Sequence, residues 1–242
     1  MEHSKNYNPQ ISTEIGIQSA NRQPLKRIDS HYISHELLHL FHLDKGFFFN
    51  FKQLILRPGA SIKEFITEDR SRHMKPIGFL IFSALLYTLV YNYFKPMNST
   101  PETESYFYGS YVKILQDWTS KNFGYTYILT SFFTAAWTRL FFRKYGFNYF
   151  EIMTLLCFVS GQGMLIIAFI LPFHSYLTMT ANTIILLSTT ILYTTIVTAQ
   201  FFDRTKIINY VKALITYFLG KLSFSLVLIG MGYTIDFIKS LF

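Results

Sequence analysis

Residues 152 to 202 form a run of 51 positions without a single Asp, Glu, Lys or Arg. A bilayer crossing takes about 20 apolar residues. The run is therefore too long for one span and needs two, with a turn between them where Pro172 falls. A chain built around such a segment reads as an all-α, polytopic membrane protein.

Composition agrees. Of 242 residues, half are hydrophobic, 26 are Phe and 17 Tyr, and only 15% are charged, against about a quarter in an ordinary soluble domain. Collagen-like, disordered and typical cytosolic-enzyme classes are poor fits. The charges are also unevenly placed, because residues 1 to 75 hold 11 of the 22 Lys and Arg together with 8 of the 14 acids. The one cysteine, Cys157, lies inside a predicted span and admits neither a disulfide framework nor a cysteine-based zinc site within one chain. The first residues show no apolar stretch behind Lys5, so the expectation is that no signal peptide is cleaved.

Five charge-poor segments predict spans at about 76–94, 122–139, 152–171, 183–202 and 211–235, the last interrupted by Lys221. Basic residues accumulate on the cytoplasmic side of membrane proteins. Residues 1–75 carry 11, residues 139–151 carry three and residues 203–212 carry three; the alternate segments 95–121, 172–182 and the tail after Ile235 carry three, none and one. The count predicts a cytoplasmic N-terminus in a bacterial inner membrane and a C-terminus on the opposite side. It also accounts for the net charge of +8 through topology and anionic headgroups, without nucleic acid.

Ahead of the spans, residues 1–30 read as a mobile polar tail and 31–75 as an interfacial helical region. Phe47, Phe48, Phe51, Leu54 and Ile55 interleave with Lys45, Lys52 and Arg57, the pattern of a helix whose Lys stems snorkel to headgroups. The competing reading is a small self-packed helical domain. Arg57-Pro58-Gly59 should break this element, and the capping-box spacing of Ser61 and Glu64 predicts a new helix from Ser61 to about Asp69. Arg70, Arg72, His73 and Lys75 read as a basic collar below the first span.

The block Phe41-His42-Leu43-Asp44-Lys45-Gly46-Phe47, then Leu54-Ile55-Leu56-Arg57-Pro58-Gly59, Ile62-Lys63-Glu64-Phe65, Arg70 and Pro76 resembles the bacterial membrane family called domain of unknown function 3667. The similarity covers about residues 36–85. Many members of that family carry a cysteine-rich zinc ribbon ahead of this block, from which the chain departs by having no cysteine there. A fainter rhythm of Leu, Pro and Ile or Phe before the spans resembles Yip1-like membrane proteins. Neither resemblance implies a catalytic residue.

Three patterns bear on chemistry. His35-Glu36-Leu37-Leu38-His39 matches HExxH, which on a helix sets two imidazoles on one face with Glu36 as a general base. A third zinc ligand would come from His42, Asp44, Glu64 or Glu68. The motif precedes every span, whereas intramembrane zinc proteases shelter it within one, and the favoured reading is an uncoordinated polar face with no bound zinc. Lys221 is the second pattern: a charge inside a span costs ~2.5–3.5 kcal/mol at the centre on insertion scales, so it marks either a functional group or a side chain snorkelling to the cytoplasmic headgroups. The third is a hydroxyl stripe, Thr183, Thr190, Thr194 and Thr198, read as helix packing in preference to a pore lining. Ser160-Gly161-Gln162-Gly163 and Gly230-Met231-Gly232 read as close-contact points between helices.

The functional expectation is a non-enzymatic membrane component that binds lipid or a protein partner, with anionic headgroups and a second copy of the chain among the expected partners. An oligomeric channel or membrane-perturbing effector lined by the Thr stripe and Lys221 is the first alternative. A zinc metallohydrolase acting through His35, Glu36 and His39 is the second.

Overall fold

The computed structural model describes residues 46–94 and 110–241. Among these it is all-α, with helices α1 (Phe47–Leu56), α2 (Pro58–Thr67), α3 (Pro76–Tyr93), α4 (Ser110–Lys121), α5 (Phe123–Phe141), α6 (Tyr149–Ile170), α7 (Met179–Asp203) and α8 (Ile207–Ser240). Short 3-10 turns at Arg143–Tyr145 and Leu171–Tyr176 join α5 to α6 and α6 to α7.

Helix boundaries follow local chemistry. Asn148 caps α6, its Oδ1 accepting from Glu151 N at 2.9 Å while Glu151 Oε2 accepts from Asn148 N at 2.7 Å. This reciprocal cap starts the helix at Tyr149, three residues before the predicted span. α2 begins at Pro58 and not at Ser61, which lies buried inside it. Proline is favoured at the first helical position because its missing N–H would be unpaired there anyway. The predicted loop 95–121 contains α4, in which Val112, Leu115 and Trp118 supply an apolar side and Lys113, Gln116 and Asp117 a polar one.

Among the described residues four helices are long and apolar enough to cross a membrane: Pro76–Tyr93, Tyr149–Phe173, Thr180–Asp203 and Ile207–Ser240. α5 occupies the expected second span, but its Thr126, Thr130, Ser131, Thr134, Thr138 and Arg139 hold its hydropathy below theirs. α6 is the central helix, with 83% of its span window buried against 22% for α8. It is apolar all round and small at Cys157, Ser160, Gly161, Gly163 and Ala168, as a helix surrounded by others must be.

Packing sets the directions. Pro76 and Ile77 share a cavity with Tyr149 and Phe150, Phe79 packs on Phe158, and Tyr87 joins Met164 and Ala168 in one cluster, so α3 runs parallel to α6. With α5 and α7 reversed between tight turns and α8 following α7, one end of the bundle collects the turn at 142–148, the turn at 204–206 and the α1–α2 pair. Phe142 stacks on Phe202 at 4.0 Å, Asn209 Nδ2 donates to Tyr145 OH at 2.9 Å, and Tyr193 OH donates to Leu54 O at 3.0 Å. Leu54, Ile62, Phe65 and Ile66 belong to the same core as Phe158 and Phe201. The N-terminal helices thus close the end of the bundle and have no core of their own. Phe48, Ile55 and Leu56 remain exposed on their outer side.

Candidate functional site

Two places combine polar chemistry with burial. The first is the junction of α1, α2 and α3. Asn50 Nδ2 donates to Met74 O at 3.1 Å, which turns Oδ1 toward His73 Nδ1 at 2.8 Å. That orientation makes Nδ1–H the imidazole donor. The ring sits edge-on to Phe49, Phe65 and Phe158, and burial pushes its pKa below the usual histidine value. His73 is therefore an inward strut, not part of a basic collar. Gly46 packs so tightly on this strand of chain that a Cβ there would stand 2.8 Å from the His73 carbonyl carbon.

The predicted lipid-facing cations divide accordingly. Arg70 is used within the protein, donating from Nε to Phe65 O and from Nη2 to Ile66 O, both at 3.2 Å, which closes the carbonyl end of α2. Arg57 pairs with Glu64 at 3.2 Å and donates to Gln53 Oε1 at 2.7 Å. Lys52 and Arg72 project outward and Lys75 is half-buried. Lys45 lies outside the described residues, as do His35, Glu36, His39 and His42. Glu64, proposed above as a third zinc ligand, is engaged by Arg57. Among the described residues no three His, Cys, Asp or Glu side chains converge as a metal site.

The second place is a chamber around Lys221. Val112 of α4 meets Gly232 of α8, and Thr134 of α5 meets Gly220. Between these points the α4–α5 path measures about 33 Å and the α8 path about 18 Å at 1.5 Å per residue. The excess is taken up by an arch at Asn122, whose backbone leaves helical geometry at φ −113° and ψ 52°. Thr126 Oγ1 lies 3.0 Å from the carbonyls of both Thr119 and Asn122, and Asn122 Nδ2 donates to Trp118 O at 2.9 Å, so the bend is held by side chains.

Under the arch is a cavity of about 210 Å³ lined by Gln116, Thr119, Thr126, Thr130, Lys221 and Ser225, among others. A smaller one of about 50 Å³ shares Thr126, Thr130 and Lys221 and reaches Ser131, Ser160 and Thr194. Lys221 Nζ lies 5.6 Å from the Tyr127 ring centroid and 5.4 Å from that of Tyr217, within cation–π range. It stands about 21 Å along α8 from Ile207. Its side chain is held between the two rings, well inside the helix.

The Thr stripe is divided. Thr194 lines the smaller cavity, Thr190 donates to Leu186 O at 2.8 Å, and Thr198 is buried with its Oγ1 unpartnered among the described residues. Sequence reasoning missed Thr126, Thr130, Tyr217 and Ser225. Their signal was available: Thr126, Thr130 and Thr134, and separately Tyr217, Lys221 and Ser225, recur every four residues and so share a helix face.

The family described as protein of unknown function (DUF3667) matches residues 44–88, the segment from just before α1 into α3. This is the block that carried the resemblance, and it contains the Gly46–Asn50–His73 junction. None of the comparisons carries the Yip1-like resemblance. Neither the curated proteins nor the solved structures return a match to the chain.

Proposed function

We propose that the protein is a non-enzymatic integral component of a bacterial inner membrane that holds acidic lipid at its basic end, with that end cytoplasmic and the C-terminus opposite. The observation that carries this reading is the gathering of cations: Lys52, Lys63 and Arg72 beside Arg143, Lys144 and Arg204, all around the one end closed by α1 and α2. Each Lys or Arg near an anionic surface is worth ~1 kcal/mol. The exposed apolar side chains of α8, among them Leu222, Leu226 and Phe237, form a face that acyl chains or a second copy would cover.

The test is lipid retention by the full chain extracted in mild detergent, measured by native mass spectrometry after exposure to phosphatidylglycerol and phosphatidylcholine. Wild type should retain the acidic lipid selectively. A variant carrying Lys52, Lys63, Arg72 and Lys75→Gln should lose about tenfold or more of that preference. Equal retention of both lipids by wild type would refute the reading, and the same spectra report any homo-oligomer.

A further inference from the structure

We propose that the Lys221 chamber binds an oxyanion, the phosphate or carboxylate group of an acidic amphiphile, which enters from the half of the bundle opposite the basic end. The first ground is charge. Lys221 lies under the arch with aromatic faces on two sides, and among the described residues no Asp or Glu lines either cavity. Of the three helices bordering the larger cavity, α5 carries no acid, and the acids on the other two are placed elsewhere: Asp117 of α4 is exposed, and Asp236 of α8 accepts from Tyr111 N at 3.4 Å, about 22 Å further along the helix from Lys221. Two tyrosine faces stabilise an ammonium but do not neutralise it. A ligand that brings one negative charge does so.

The second ground is the arrangement of donors. Thr119, Thr126 and Thr130 spend their hydroxyl protons on backbone carbonyls of the arch. Ser225 makes no hydrogen bond among the described residues and stands one turn from Lys221 on the same face of α8. An ammonium and a hydroxyl four residues apart thus offer two donors to one group of oxygens, as charge-assisted recognition requires.

The third ground is space and access. A volume of about 210 Å³ accommodates an oxyanion with its bound waters, since a water takes about 30 Å³. The walls are helix α4, the first turns of α5 and the middle of α8 from Lys221 to Ile229, on the side away from the basic turns. The chemistry of the site stands on these residues alone. A lipid as the source rests on the membrane reading above.

The experiment uses the full chain in nanodiscs of phosphatidylcholine, titrated in one arm with phosphatidylglycerol and in the other with inorganic phosphate, with thermal melting as readout. Three variants accompany wild type: Lys221→Met, Lys221→Arg and the basic-end quadruple Gln variant. The expected result is a ligand-dependent rise in melting temperature whose midpoint moves by about tenfold or more in Lys221→Met, returns in Lys221→Arg and survives in the quadruple variant. Removing an unneutralised ammonium should leave the unliganded Lys221→Met protein at least as stable as wild type, which separates loss of ligand from loss of fold. Dependence on Lys221 in the phosphate arm alone supports the site with a free anion as source; dependence in the lipid arm supports the amphiphile. If neither probe depends on Lys221 the proposal fails, and lipid binding lost only in the quadruple variant then leaves the basic-end reading standing. Binding that emerges only after Glu102 and Glu104 are changed to Gln would assign Lys221 to a carboxylate of the chain itself and would also overturn it.

Discussion

Asn50 and His73 show how much two residues settle at the start of the bundle. The Asn50 amide is used on both sides, donating to Met74 O and accepting from His73, so Asn50→Ala leaves a buried carbonyl and a buried imidazole N–H without partners. A loss of about 1–3 kcal/mol is expected, to be read from thermal or denaturant unfolding in detergent. The imidazole also ties stability to pH. Burial lowers its folded pKa below the unfolded value of about 6.5, so the unfolded chain takes up the proton more readily. Stability is complete above about pH 6.5 and declines as pH falls through the folded value. The melting temperature should therefore drop between about pH 7.5 and pH 5.5, and should drop less in His73→Gln, whose neutral amide has no proton to gain. A profile identical in both proteins would show that His73 does not set it. The polar partners of a buried residue at position 50 lie more than 20 positions away in the chain, and no local pattern announces them.

Helix contacts divide the glycines into two kinds. A Cβ on Gly59 would stand 2.7 Å from Gln200 and Phe201 backbone atoms, one on Gly220 2.7 Å from Thr134 Cα, and one on Gly232 2.8 Å from Val112 Cα. Backbone cannot step aside as a side chain can, so Ala at each of these should cost about 1–3 kcal/mol through forced separation of the helices. Gly163 and Gly230 meet nothing within 4 Å. Ala there should be neutral or should stabilise slightly, by about 0.5–1 kcal/mol, through helix propensity. Melting of the five variants side by side in one detergent checks the division, and a uniform effect would contradict it. The paired-glycine motifs thus mix contact points with free positions, Gly161 and Gly232 serving as the former. The distinction depends on which helix lies opposite.

At the scale of the whole molecule, parallel α3 and α6 with α5 and α7 reversed between them carry the basic turns to one end, which predicts the sidedness of every loop. In a Cys157→Ser background, cysteines at Lys144 and Thr205 should label only from the cytoplasmic side. Those at Thr103 and Ser175 should label only from the other, where a reporter fused after Phe242 should also lie. A cytoplasmic C-terminal reporter would mean that α8 does not cross. The charge-free run, the loop bias in Lys and Arg and the Pro76 helix start made the all-α class and the order of the apolar helices legible from sequence, because each is a local or summed property. The family block was legible for the same reason, as residues 44–88 carry it contiguously. α4 was hidden, since a helix that leans on α8 needs only a narrow apolar side and reads as a polar loop. The roles of Lys221 and His73 were hidden too. Each depends on whether a ring or an acceptor from a distant segment reaches the side chain, and only the packing of one helix against another decides that.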